Sequence, residues 1–390
     1  MSEHDVLSAV RGLTPAVRER AAEAEAARCI PVATIKELTE AGVFRLLQPR
    51  RYGGYAADPM IFLSCLRELA RACGSTGWVT GVLSVNTWQL GLFDVRAQDD
   101  VWGTDRDARI CLSLAPVGKV AVVPDGYLLS GRWSFASGCD HADWVLLGAI
   151  VRDDAGNPVG MRTFLLPSSE FRIDPVWDTV GLRGTGSNDI VVEEVFVPTH
   201  RTISASQVTA PVRPGHAVNP EPVYRLPLGS LFTTSISAPI VGMAEAAYES
   251  YLAAMRHRIR ISGRGTPAAE DPFAQIRAGR AASEIDAAWL QLSRNISEIY
   301  DCAKEGNEPP IRLRTRLRRD QVLATERAMA AVDLLMANAG GGAMRTGDHV
   351  LQRAWRDVHT GRGHTTNDPE RALVLFGRSE FGFDVEDPML

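Results

Sequence analysis

Two histidines, His359 and His364, stand five residues apart in "WRDVHTGRGHTTNDPERA" near the end of the sequence. The run before them is helix-like, and the polar segment Thr365-Thr366-Asn367-Asp368 is where a helix is given up. His364 therefore either caps a loop or offers an imidazole of near-neutral pKa as a base at the rim of a pocket. His359, on the preceding helical pattern, reads as structural.

Three further stretches carry candidate chemistry. "GRWSFASGCDHADW" gathers Trp133, Phe135, Ser137, Cys139, Asp140 and His141 in one strand-to-turn region. Adjacent Asp140 and His141 point to opposite sides of an extended chain and need not pair; Trp133 and Trp144 read as core. "RGTGSND", from Arg183 to Asp189, reads as a hairpin-type turn. It also admits a ligand-lining role, because Gly184 and Gly186 allow close backbone approach and Ser187 carries a hydroxyl donor. In "ACGSTGWVTG", Gly74, Gly77 and Gly81 interrupt a helical pattern, each at about 1 kcal/mol relative to Ala. Close packing, or a ligand against that face, is expected there.

Several chemistries lose their usual support. No G-x-x-x-x-G-K-[ST], no helix-opening G-x-G-x-x-G after a strand, no H-E-x-x-H and no G-x-S-x-G occurs, so kinase, nicotinamide, zinc-protease and hydrolase signatures are all missing. Six cysteines (Cys29, Cys65, Cys73, Cys111, Cys139, Cys302) form no C-x-x-C; neither a metal site nor a disulfide framework is indicated. Lys and Arg total 42 against 47 Asp and Glu, a net charge of -5, which argues against nucleic acid as a partner. Local arginine clusters, "RHRIRISGRG" and "RLRTRLRRD", read as solvated helix faces or as a site for a cofactor phosphate. The opening "MSEHDVLSAVRGLTPAVRERAAEAEAA" lacks the apolar core of a signal peptide, and no run of about 18 apolar residues occurs. A cytoplasmic protein without membrane contact is expected.

Elements must hold these residues in place. The 390 residues, 45% of them hydrophobic, can fill a sizeable core. Apolar spacings of three and four predict helices through the first quarter, and residues 1–108 read as an N-terminal helical domain. From Arg109 to about Pro198 short β-rich runs separated by turns predict an antiparallel barrel or sandwich, followed by a proline-rich loop; this unit spans 109–228. Long helical patterns return over 229–390 and predict a four-helix bundle. The fold class is α+β.

That order of domains, together with "LLQPRRYGG", "CGSTGWV", "SGCDHADW", "VGLRGTGSN", "ISAPIVGMA", "DPFAQIR" and "NDPERA", resembles the acyl-CoA dehydrogenase fold. Within it the chain is similar to the oxygenase components of two-component flavin-dependent monooxygenases, including those of bacterial steroid degradation and the p-hydroxyphenylacetate hydroxylases. The resemblance spans nearly the whole chain. It implies a homotetramer that takes diffusible reduced FMN or FAD from a separate flavin reductase, uses dioxygen as co-substrate, and hydroxylates a phenolic substrate ortho to its hydroxyl through a flavin C4a-hydroperoxide.

It also implies roles for particular residues. Trp78 corresponds to a tryptophan beside the flavin. Leu112-Ser113-Leu114 lies along the isoalloxazine edge and Phe135-Ala136-Ser137 near N5, with Ser137 as the hydrogen-bond donor. Arg258 corresponds to an arginine that reaches a flavin phosphate, Gly342-Ala343 to a bundle turn near the cofactor, and His364 with Thr365 to the substrate side. Acyl-CoA dehydrogenases carry a catalytic glutamate where this chain reads "RGHTTNDPE", so His364 stands as the phenol base. The alternatives are an N- or S-oxygenating enzyme of the same fold, an acyl-CoA dehydrogenase using Asp368 or Glu370, and a catalytically silent scaffold.

Overall fold

The computed structural model describes residues 2–259, 267–345, 349–387 and 389–390. Arg260 and Arg264 of the first arginine cluster lie outside the described residues.

Six helices open the chain: α1 (Glu3–Glu19), α2 (Ala21–Ala27), α3 (Val32–Glu40), α4 (Pro59–Ala72), α5 (Gly74–Leu90) and α6 (Val95–Trp102). Their ends follow capping chemistry. Ser2 and Asp5 form a reciprocal box at the start of α1, and the Asp58 and Asp94 side chains accept first-turn N–H groups of α4 and α6. α5 is the exception, because every residue of it is buried and it has no solvated stripe.

The glycines explain how α5 fits. A Cβ at Gly77 would stand 2.6 Å from that of Ala70 on α4, and one at Gly74 would stand 2.8 Å from Asp357 Oδ2. At Gly81 it would meet the Ser235 carbonyl at 3.1 Å. The three glycines thus answer to close packing on neighbouring helices.

Seven strands follow: β1 (Ile110–Val123), β2 (Gly126–Ala136), β3 (Trp144–Arg152), β4 (Pro158–Pro167), β5 (Arg172–Asp174), β6 (Asn188–Pro198) and β7 (Thr202–Ser204). They form one sheet in the order β5-β6-β2-β1-β3-β4-β7. Two expectations are corrected. The sheet is mixed, since β1 and β3 run parallel while the other pairs are antiparallel. It is also open, ending at the three-residue strands β5 and β7. The cause of both lies in β1. A register shift between Ser113 and Gly118 lets its first half pair with β3 and its second half with β2. β2 returns along β1, and the chain then crosses to β1's other side before β3 starts, so β3 runs in β1's direction.

The segment expected as a loop, 199–228, is anchored instead. It contains β7 and the short helix α7 (Ala205–Thr209). The buried Arg213 guanidinium donates to the carbonyls of Val208, Tyr224 and Leu226. Asn219 donates to the Gly91 carbonyl, and the Tyr224 hydroxyl to that of Leu47. Side-chain donors take the place of a regular ladder for these carbonyls.

Among the described residues five helices close the chain: α8 (Leu228–His257), α9 (Pro272–Lys304), α10 (Ile311–Ala339), α11 (Val350–Arg362) and α12 (Pro369–Glu380). α8 packs on α9, α10 and α11, while α10 also packs on α9, α11 and α12. Their apolar core takes in Trp78 from α5 and Leu182 from the β5–β6 connection. At that junction the helical and sheet layers meet.

Candidate active site

Trp78 lies in the second turn of α5, 5% exposed. Its ring packs against Gly361 of α11, where an added Cβ would stand 3.1 Å from both Trp78 Cζ3 and the Ile240 Cδ1 of α8. The indole N–H donates to Ser137 Oγ at 3.2 Å, and the indole ring stands edge-on to the His364 imidazole with centroids 5.7 Å apart. One tryptophan thus ties the end of β2 to the turn after α11.

Ser137 follows β2 directly and precedes Gly138, whose φ of 71° turns the chain. The Gly138 N–H donates to the Thr185 carbonyl. This joins Ser137 to "RGTGSND", which is a 3-10 turn over Arg183–Thr185 with a left-handed Gly186, set in the long connection between β5 and β6. Ser137 Oγ lies 2.7 Å from Ser187 Oγ, and Ser187 Oγ 2.7 Å from Thr185 Oγ1. Of these hydroxyls Ser137 and Ser187 were singled out by sequence. Thr185 was missed because its role depends on a turn that no periodicity marks.

His364 caps a short 3-10 turn, Thr365–Asn367, and its side chain accepts the Thr366 N–H. That N–H reaches Nδ1 at 3.2 Å, with the Thr366 hydroxyl also 2.9 Å from Nδ1. Nδ1 is therefore the acceptor nitrogen, and the neutral ring carries its proton on Nε2. The residue is only partly exposed, and burial pushes the imidazole pKa down to about 4. The turn itself is held from α10: Arg318 donates to the Thr366 carbonyl, Gln321 to Asn367 Oδ1, and Asn367 to the Gly361 carbonyl.

The other expected positions separate into groups. Leu112 and Leu114 are half-buried on β1, and the Ser113 hydroxyl is spent on the Ser134 carbonyl of β2. Ala136 is wholly buried; Phe135 is 70% exposed, with a φ of 69° and its ring edge-on to Trp177. Arg258 donates to the carbonyls of Asn338 and Ala339 at the end of α10, and Gly340, with a φ of 76°, leaves room for it. Gly342 and the buried Ala343 lie just beyond. Arg258 follows the last residue of α8, about 25 Å along that helix from Ile240, so this second group is remote from Trp78 within one chain. Thr365 is exposed.

Several weaker signals resolve as structure. His141 Nε2 lies 3.2 Å from Cys29 Sγ, while Asp140 accepts from Asn188; burial holds the Cys29 thiol up at about 11, which suppresses thiolate chemistry. His359 pairs with Asp333 on α10. Asp368 caps α12 and Glu370 is exposed in its first turn, so neither carboxylate joins Trp78 and Ser137. Surface hollows of about 610 Å³ beside Arg213 and 530 Å³ beside Arg356 are shallow and lie away from Trp78, Ser137 and His364.

The residues fit a flavin. Ser137 sits against an indole and is connected through its hydroxyl to a buried hydrogen-bond chain, Phe135 presents an aromatic face, and a neutral imidazole stands across Trp78.

Helical layers flanking a central sheet, with Trp78 at their junction, define an acyl-CoA dehydrogenase-like protein. Residues 3–102 match the family described as acyl-CoA dehydrogenase, N-terminal domain, and residues 234–369 its C-terminal domain. The chain is 50% identical to the flavin-dependent monooxygenase, oxygenase subunit HsaA, of Rhodococcus jostii (strain RHA1), over 97% of this chain and 98% of that one. It is 34% identical to the FADH(2)-dependent resorcinol hydroxylase, oxygenase component, of Rhizobium sp. (strain MTP-10005), over 96% and 93%. The crystal structure of 3-HSA hydroxylase from Rhodococcus sp. RHA1 superposes with a TM-score of 0.95 at 49% identity, covering 99% of both chains. The protein belongs to the oxygenase subunits of the flavin-dependent monooxygenases.

Proposed function

We propose that the protein hydroxylates a phenol ortho to its hydroxyl, using dioxygen and reduced FMN or FAD delivered by a separate reductase. The observation that carries this reading is the Trp78–Ser137–His364 cluster, in which a neutral histidine occupies the place where a dehydrogenase needs a carboxylate. Reduced flavin, when bound, supplies the electrons that activate dioxygen for transfer of one oxygen atom.

The chain's own residues bind, orient and exclude water. Trp78, Ile240 and the core around them keep the junction dry. Ser137 would meet N5 of a bound flavin. Leu112–Leu114 and Phe135–Ala136 would border the ring system, and Arg258 with Gly342-Ala343 would serve a flavin phosphate. The expected base role of His364 changes form. Because Nδ1 accepts from Thr366, Nε2 donates; a phenol oxygen that accepts from it is stabilised as the anion, its proton leaving to solvent. Charge on that oxygen raises electron density at the ortho carbon, where the new C–O bond forms.

The same reading extends to a homotetramer of cytoplasmic subunits, each of three domains, 1–108, 109–228 and 229–390, the last built around a four-helix bundle of α8 to α11. No helix among the described residues is long and apolar enough to cross a membrane.

The test is anaerobic mixing with reduced FMN or FAD, then ¹⁸O-labelled oxygen and a panel of phenols including secosteroids. A catechol-type product carrying one labelled atom is expected. Oxidation of amines or thioethers in preference to every phenol would overturn the reading.

A further inference from the structure

Trp78, Ser137, Ser187 and Thr185 form a file that ends on a carbonyl. The indole N–H meets Ser137 at 3.2 Å, Ser137 meets Ser187 at 2.7 Å, Ser187 meets Thr185 at 2.7 Å, and Thr185 donates to the Leu182 carbonyl at 2.8 Å. The three hydroxyl residues are 8%, 3% and 2% exposed. Leu182 is itself fixed, since its N–H goes to Asp357 and its carbonyl also accepts from the Trp177 indole.

With a hydrogen bond at each contact, the two ends fix one direction along the file, although the Leu182 carbonyl also accepts the Thr185 N–H. An indole N–H only donates and a carbonyl only accepts, while each hydroxyl has one proton. Thr185 gives its proton to Leu182, so Ser187 supplies the hydrogen between itself and Thr185, and Ser137 the hydrogen between itself and Ser187. Three protons fill three contacts. Ser137, expected as a donor, has no proton left for a ligand; it keeps one lone pair.

We infer that Ser187 and Thr185 are positioning residues that lock Ser137 as an acceptor, and that this lock makes the site prefer reduced over oxidised flavin. The inference rests on the flavin reading above. N5 of a reduced flavin carries a hydrogen and can donate to Ser137; N5 of an oxidised flavin carries a lone pair and meets another. A freely rotating hydroxyl would serve both states, whereas a locked one serves the first. Cofactor arriving reduced is held, and cofactor left oxidised is released for the next exchange.

Thr185→Val tests this with little change of shape. Without the Thr185 oxygen, the Ser187 proton turns to Ser137, and the Ser137 proton is freed toward the ligand. Dissociation constants for dithionite-reduced FMN under nitrogen and for oxidised FMN are measured on the wild-type chain, Thr185→Val and Thr185→Ser. The ratio of oxidised to reduced constants should fall roughly tenfold in Thr185→Val, the order of one hydrogen bond, and persist in Thr185→Ser. A loosened site would weaken both forms together and leave the ratio unchanged. A wild-type ratio in a folded Thr185→Val overturns the lock. A wild-type chain that binds no reduced flavin overturns the flavin reading itself. If Thr185→Val fails to fold, Ser187→Ala, which also frees the Ser137 proton, is read in the same way.

Discussion

The backbone N–H of Thr366 donates to Nδ1 of His364 at 3.2 Å, and this contact assigns the ring's proton to Nε2. His364 therefore meets an oxygen as a donor. His364→Ala is expected to lower hydroxylation by about 10²-fold or more while flavin-dependent peroxide release continues. His364→Gln, which keeps an N–H donor, should retain a measurable part of it. Product and peroxide assays on the two variants separate these outcomes, and unchanged hydroxylation in His364→Ala sinks the assignment.

The same ring has a pH consequence. Burial holds its pKa near 4, below the 6.5 of a free imidazole. The fold thus favours the neutral ring: the associated stability is complete above about pH 6.5 and is lost as pH falls toward 4. Denaturant unfolding at several pH values should show a shallower loss between pH 6.5 and 4.5 in His364→Gln than in the wild-type chain. An equal loss in both means that His364 is not desolvated.

Gly77 and Gly12 make a matched pair of helix glycines. A Cβ at Gly77 would fall 2.7 Å from the Ala70 backbone, while at Gly12 nothing lies within 4 Å. Gly77→Ala should destabilise by about 1–3 kcal/mol as α5 is pushed off α4, and Gly12→Ala should stabilise by up to about 1 kcal/mol through helix propensity. Thermal unfolding of both variants reads the contrast; a neutral Gly77→Ala would mean that the α4–α5 packing yields.

Sequence made the helical elements legible because their periodicity is local, and the β-rich centre because its turns are. The parallel β1–β3 pairing and the open sheet were not legible, since both depend on one strand changing partners between Ser113 and Gly118. His364 and Ser137 stood out as residues and Trp78 by resemblance, and the structure brings both of the former against Trp78. Proton direction was beyond sequence. It depends on Thr366 for His364 and on Thr185 for Ser137, residues whose side chains become informative only once their turns are folded.

Asp357 on α11 accepts the Leu182 N–H at 2.6 Å and faces Gly74, the first residue of α5. The residue is 4% exposed. Burial raises its pKa to about 6, against the lowering effects of the Leu182 N–H, Arg356 and Arg353, with Glu25 adding to the rise. Between about 3.8 and 6 the folded chain binds the proton more strongly than the unfolded chain, so this site's contribution to stability falls as pH rises through that window. The penalty, on the order of 3 kcal/mol, is complete above pH 6. Asp357→Asn keeps an oxygen for Leu182 and removes the charge. The difference in Tm, Asn minus Asp, should therefore grow by several degrees from pH 4.5 to 7.5, and a difference independent of pH would show that the carboxylate is not penalised. Asp357→Ala should behave otherwise: it strands the Leu182 N–H at a cost of about 1–3 kcal/mol at any pH, loosening the residue whose carbonyl takes the Thr185 proton.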